Sequence, residues 1–212
     1  MGLSVDDIIA KFPMKTLPII SGEPDYTYIN TVIQFIYGNA ASLPTTLGGG
    51  QNGHIGLITT HLLYATLVPN NAYSAPIEPG ILPLMAANLS VVTRETQKTA
   101  HEEARRIYDN HTNMDDALKA QLIDSVDDTY LCEVRNKYKG YLGITTRNLI
   151  DHLLYRYSKI TPADTEECKV RMNKPIGLSQ PIDLFFQRID NCVQYASDGQ
   201  VAFTNGQIIQ TA

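Results

Sequence analysis

The residues best suited to chemistry lie in one short stretch, Leu47-Gly-Gly-Gly-Gln-Asn-Gly-His-Ile-Gly56. A run of glycines lets backbone amides approach an anion closely, so a phosphate cradle is the first chemistry to test. The partners such a cradle needs are missing. There is no Gly-Lys-Ser/Thr ending for a nucleoside triphosphatase, no preceding buried strand, and no acidic residue at the dinucleotide-binding distance. The stretch is therefore expected to be a loop needing positive φ, with His54 as a hydrogen-bonding loop residue rather than a ligand. A ligand-binding or hydrolytic site remains an alternative, and it requires the Gly48–Gly56 loop, His54 and Asp127 or Asp128 to converge in a pocket around a perturbed ionisable group.

Other constellations are weaker. His101-Glu102-Glu103 begins like a zinc-protease helix, but Arg105 stands where the second histidine ligand belongs. Cys132, Cys168 and Cys192 fall on separate predicted helices without metal-ligand spacing, which points to burial as small apolar groups. Asp127 and Asp128 are placed on the solvated face of a long helix, and Asp151, His152 and Asp190 read the same way. No Gly-x-Ser-x-Gly elbow exists for a serine nucleophile. No catalytic, cofactor-binding or metal-ligating residue is assigned, no cofactor is implied, and the chain is expected not to be an enzyme.

The elements that would position these residues are mostly helices. Ser4 can cap a helix through Phe12, with Asp6 and Asp7 in its first turn. From Asp25, apolar residues at Tyr28, Ile29, Val32, Ile33 and Ile36 recur at helical spacing until Gly38-Asn39, where a stop is expected. Ile55 to Thr59 could form one arm of a hairpin. A polar helix is predicted from about Thr93 to Asn110, its one face carrying Ala104, Ile107, Tyr108 and His111. A separate helix, capped by Asn113 or Asp115, should carry Leu118, Leu122, Ile123, Val126, Tyr130, Leu131 and Val134. Gly140 and Gly143 break the pattern. Thr145 or Thr146 then caps a helix with Leu149, Ile150, Leu153, Leu154 and Tyr157 on one side, and Thr161-Pro162 starts another. Last, Ile182, Phe185, Phe186, Ile189, Cys192 and Val193 form an apolar stripe. Each such side chain contributes roughly 1.5–3 kcal/mol when buried, so Phe186→Asp is expected to unfold its local unit.

Composition sets the class. The 212 residues are 43% apolar and 18% charged, enough for a globular core and too apolar for a disordered chain. A net charge of −5 argues against a tight grip on phosphate backbones. The three widely spaced cysteines fit a reducing compartment without a disulfide framework. The segment from Ile77 to Val92 is apolar but interrupted by Glu78, Pro79, Gly80, Pro83 and Asn88, so no membrane span is expected. The acidic N-terminus lacks a signal-peptide pattern.

Taken together, several blocks resemble one known family. LGGGQNGHIGLITTHLLYATL, the helix ending in DDTYL, ITTRNLIDHLLYRYSKITPADTEE, RMNKPIGLSQPIDLFFQRIDNCVQYA and FTNGQIIQTA are together similar to the Gag (capsid) region of copia-type long-terminal-repeat retrotransposon polyproteins, over roughly residues 43 to 212. Within them, residues 176 to 189 resemble a divergent major homology region of retroviral capsids. Gly177 falls at its glycine, Phe185 at its aromatic position and Arg188 at its arginine, with apolar Ile189 following. Ile176 and Gln180 depart from its usual Gln and Glu. The residues themselves suggest a loop turned by Gly177, Gln180 near a helix start, and Arg188 reaching back to loop polar groups or carbonyls.

The resemblance implies a mostly α fold: a multi-helix capsid-like N-terminal lobe over residues 1 to 165, with a short hairpin or glycine-loop excursion, then the start of a smaller, truncated C-terminal lobe over 166 to 212. It implies a structural protein that self-assembles into intracellular, cytoplasmic virus-like particles packaging the element RNA. Copies of the chain are its partners, Ile182, Phe186 and Ile189 are the candidate assembly or core stripe, and RNA is held mainly by a segment outside these residues. The same fold could serve a host as an interaction module.

Overall fold

The computed structural model describes residues 2–84, 90–175, 177, 181–198 and 202–209. They are mostly helical; among them the only ladder-like contact is an isolated bridge between Asn136 and Gly140, and no strand forms. The chain divides into two compact units, Met1–Tyr157 and Ser158–Ala212. The division falls ahead of the expected boundary at 165/166, which lies inside a helix. A helix cannot be shared between lobes at its middle without exposing its buried face, and this one belongs to the second unit, where it packs on the helix that follows it.

The first unit opens with α1 (Val5–Lys11), where Ser4 accepts from the Asp7 amide while Asp7 reaches back to Ser4, a reciprocal capping box. Asp25 caps α2 (Tyr26–Ser42) by accepting from the Tyr28 amide at 2.8 Å. Contrary to expectation, α2 runs through Gly38-Asn39. Asn39 is fully buried and its side chain is committed elsewhere: its Oδ1 accepts from the Met14 amide, and its Nδ2 donates to the Met14 carbonyl and to Gln121 Oε1 at 2.8 Å each. A residue satisfied by tertiary bonds has no need to end a helix. Tyr28, expected on the apolar face, is exposed, and Ile29, Val32, Ile33 and Ile36 carry the burial.

After α3 (His61–Leu67) comes the longest element, α4 (Val91–Ser125), 35 residues or about 50 Å. The two helices expected over this stretch are one. Asn113 does not cap, because its Nδ2 donates to the Leu3 carbonyl at 2.8 Å, and Asn110 Oδ1 accepts from the Leu3 amide at 2.8 Å. Asp115 instead binds the amide of Thr146. The N-terminal part of α4 is solvated, while Met114, Ala117, Leu118, Gln121 and Leu122 face the core. The apolar pattern continues past Ser125, but the helix does not: Val126 turns extended, and Asp127 caps the single turn α5 (Asp128–Leu131). Thr145 caps α6 (Thr146–Tyr157), whose Leu149, Ile150 and Leu153 close the core against α2 and α4. The expected hairpin arm at Ile55 to Thr59 is a 3-10 turn over Ile55–Leu57, since no partner strand lies beside it.

In the second unit, Thr161 and Asp164 form a capping box on α7 (Pro162–Met172), with proline at the first position. It packs on α8 (Ile182–Asp198), followed by the short α9 (Asn205–Ile209). Cys168 and Met172 on α7 share one small core with Ile189 and Cys192 on α8, and Thr165 and Ala196 are also buried. The α8 stripe therefore splits. Ile189 is 4% exposed, whereas Ile182 and Phe186 are 57% and 51% exposed. At 100° per residue, Phe185, Ile189, Cys192 and Ala196 cluster on one narrow face, and Phe186 stands well to its side.

Candidate functional site

The glycine loop is built as a cap rather than a cradle. Gly48, Gly49, Gly50 and Gly53 have φ of 55°, 80°, 76° and 52°, so the backbone doubles back on the last turn of α2. The His54 amide then donates to the Ala40 carbonyl at 2.8 Å, satisfying an acceptor that the helix end leaves open. A side chain at Gly53 would place its Cβ 2.6 Å from the Ala41 carbonyl oxygen. The Tyr64 hydroxyl donates to the Gly48 carbonyl at 2.9 Å and pins the loop's outer edge.

His54 is consequently buried, at 4% exposure, and its Nδ1 has no hydrogen-bond partner among the described residues. Burial, reinforced by His111, pushes its pKa down to about 4. Its ring lines a cavity of about 290 Å³ together with Leu3, Ile8, Lys11, Arg106 and Met114. Nearby, Tyr73 stacks on His111 with centroids 6.1 Å apart, and the Tyr73 hydroxyl and His111 Nε2 are also buried without partners. Burial lowers His111 while the Asp115 carboxylate opposes that shift.

The carboxylates proposed to converge on His54 do not. Asp127 is exposed and caps α5, and Asp128 is exposed, paired with Arg135 and accepting from the Tyr141 hydroxyl at 2.7 Å. Both lie off the long helix on which they were expected, because α4 ends at Ser125, two residues before Asp127. His101 Nε2 lies 3.2 Å from the Gly80 carbonyl, Glu102 faces Lys98, and Glu103 pairs with Arg106. Asp151 pairs with Arg147, whose Nη1 also donates to the Ile58 carbonyl at 2.7 Å. His152 Nε2 lies 2.9 Å from the Tyr130 carbonyl, and Asp190 is exposed. Among the described residues no group of three or more His, Cys, Asp or Glu side chains could hold a metal ion.

The homology-region-like segment has a defined geometry at its described residues. Arg188 Nη2 donates to the Lys174 carbonyl at the end of α7, and its guanidinium lies 5.3 Å from the Phe185 ring centroid. Arg188 thus closes the connection between α7 and α8 from the far side, with Phe185 as its apolar support. Gly177 is exposed within that connection. Gln180 and Ile176 lie outside the described residues. Cys168 and Cys192 are buried against each other's helices, but Cys132 is exposed, because it follows α5 in a turn instead of sitting in a continuous helix.

Two features escaped the sequence. Asn39 and Gln121 are 82 residues apart, and nothing local marks them as partners. Arg171 Nη2 donates to Cys168 Sγ at 3.1 Å, a contact that the i, i+3 spacing permits but does not announce. Comparison with models of known protein families, with curated proteins and with solved structures returns no match for this chain.

Proposed function

We propose that this chain is a structural, self-assembling protein, a Gag-type capsid segment of a copia-like retrotransposon whose copies build a shell around the element RNA. The observation that carries the proposal is the Arg188 brace: the arginine of the homology-region-like segment reaches back to the Lys174 carbonyl, and its guanidinium lies over the Phe185 ring. Two further observations support it. The chain is mostly helical with a large first unit and a small second one, and Ile182 and Phe186 leave α8 with an exposed apolar edge. Shell contacts of this kind are weak singly and multiplied by repetition. At −5, the charge leaves RNA binding mainly to a segment outside these residues. The particles would be cytoplasmic; no helix among the described residues is long and apolar enough to cross a membrane.

The test is mass photometry and electron microscopy of the purified chain across concentration and salt. Concentration-dependent large assemblies are expected, with the Ile182→Ser/Phe186→Ser double variant shifted toward monomer. A strict monomer under every condition overturns the proposal. A second reading, a ligand-binding domain, is favoured by one observation, the buried His54 ring in the wall of the first unit's cavity. It predicts thermal stabilisation by a small molecule that His54→Leu abolishes.

A further inference from the structure

The second unit holds two buried thiols in one small core. Cys168 on α7 and Cys192 on α8 are 0% and 4% exposed and belong to the same small core with Met172 and Ile189. Arg171 Nη2 donates to the Cys168 sulfur at 3.1 Å. Burial pushes the Cys192 thiol up to about 11, with Cys168 adding to the shift, so Cys192 stays protonated. A guanidinium donor therefore lies on Cys168 Sγ, within the same small core as Cys192. That arrangement meets the negative charge a sulfur carries when it attacks an oxidant. Arg171, whose guanidinium contacts Cys168 Sγ, is itself an exposed residue.

We propose that Cys168 and Cys192 form a redox-active dithiol that a peroxide closes into a disulfide, tying α7 to α8, with Cys168 as the attacking thiol, Cys192 as the resolving thiol and Arg171 as a positioning residue. Cys168 loses its proton to solvent, and its thiolate attacks one peroxide oxygen. The O–O bond breaks, the departing hydroxide takes up a proton, and Cys168 becomes a sulfenic acid. The Cys192 sulfur then attacks the Cys168 sulfur. The S–O bond breaks, and the hydroxyl leaves with the Cys192 proton as water. In sum, two thiols and one hydrogen peroxide give one disulfide and two waters, each sulfur giving up one electron.

The chain has a third, exposed cysteine, Cys132, so the experiment uses the full chain carrying Cys132→Ser. Reduced protein is treated with hydrogen peroxide, alkylated, and digested with trypsin without reductant. Trypsin leaves Cys168 in the peptide 160–169 and Cys192 in 189–212, so an intramolecular bond appears as one linked pair that dithiothreitol separates. That linked pair is expected. Arg171→Leu should slow closure about tenfold, the loss of one charge-assisted hydrogen bond, with the helical circular-dichroism signal unchanged. With Cys192→Ser, dimedone should trap a sulfenic acid at Cys168, and with Cys168→Ser it should trap none at Cys192. Recovery of both cysteines as free alkylated thiols, or linkage only between chains, overturns the proposal. If either serine variant loses its helical signal, the linked-pair yield in Cys132→Ser and the rate in Arg171→Leu still decide the matter.

Discussion

His54 has lost its water without gaining a partner for Nδ1 among the described residues, and that one ring makes the first unit sensitive to acid. Unfolded, its pKa is the ordinary 6.5; folded, burial and the facing His111 hold it at about 4, with Lys11 and Arg106 lining the same cavity. Between those values the unfolded chain binds the proton and the folded chain does not. The stabilisation is thus complete above pH 6.5 and is lost as the pH falls toward 4, by about 3 kcal/mol. His111, also depressed by burial though opposed by Asp115, acts in the same direction. Urea titrations across this range should show the loss in the parent chain and a flatter profile in His54→Leu; identical profiles would remove His54 from the account. Arg188 acts at the same scale. Arg188→Ala removes the bond to the Lys174 carbonyl and the cover on Phe185, and should raise hydrogen exchange in the 174–185 connection while leaving the first unit unchanged. The cap at Ser4 and the helix starts at Asp25 and Thr161 were legible because such signals depend on bonds to amides two or three residues away. The Arg171 contact with Cys168 was not, since helical spacing allows many pairs and only the rotamers choose among them.

Among the elements, α8 divides its apolar residues between packing and display. Ile189→Ala opens a cavity against Cys168 and Met172 and should destabilise the second unit by about 2–4 kcal/mol, while Phe186→Ala should change its stability by less than about 1 kcal/mol. Separate thermal melts of the two variants would check the difference, and equal losses would contradict the split. Periodicity predicted α8 correctly but drew its buried face too wide, because a hydrophobic stripe does not state the angle subtended by a single neighbouring helix. The long α4 carries the opposite lesson. Asn113 and Asp115 have the chemistry of caps, and the fold spends that chemistry on Leu3 and Thr146 instead. In the same way, Asn39→Ala leaves Gln121 and the Met14 backbone short of a buried partner and should cost about 2–3 kcal/mol in urea unfolding of the first unit.

At the scale of the whole molecule, the chain is two cores on one backbone. The buried set from Ile8 through Leu153 closes within the first unit, and Cys168, Met172, Ile189 and Cys192 form the other. Brief trypsin treatment should therefore cut first near Lys159, between α6 and α7, and leave the first unit with its helical signal intact; loss of that signal on cleavage would mean the first unit depends on the second. The amino-acid sequence alone determined the mostly helical class, the helix starts at Ser4, Asp25 and Thr161, and the turn-forming character of Gly48–Gly56, since each depends on contacts within a few residues. Only the tertiary structure decided that α4 is continuous, that His54 is buried away from Asp127 and Asp128, that the units part at Tyr157, and that Cys168 and Cys192 share one small core. Those outcomes depend on which distant side chain satisfies a polar group or fills a gap, and residue order does not encode that distance locally.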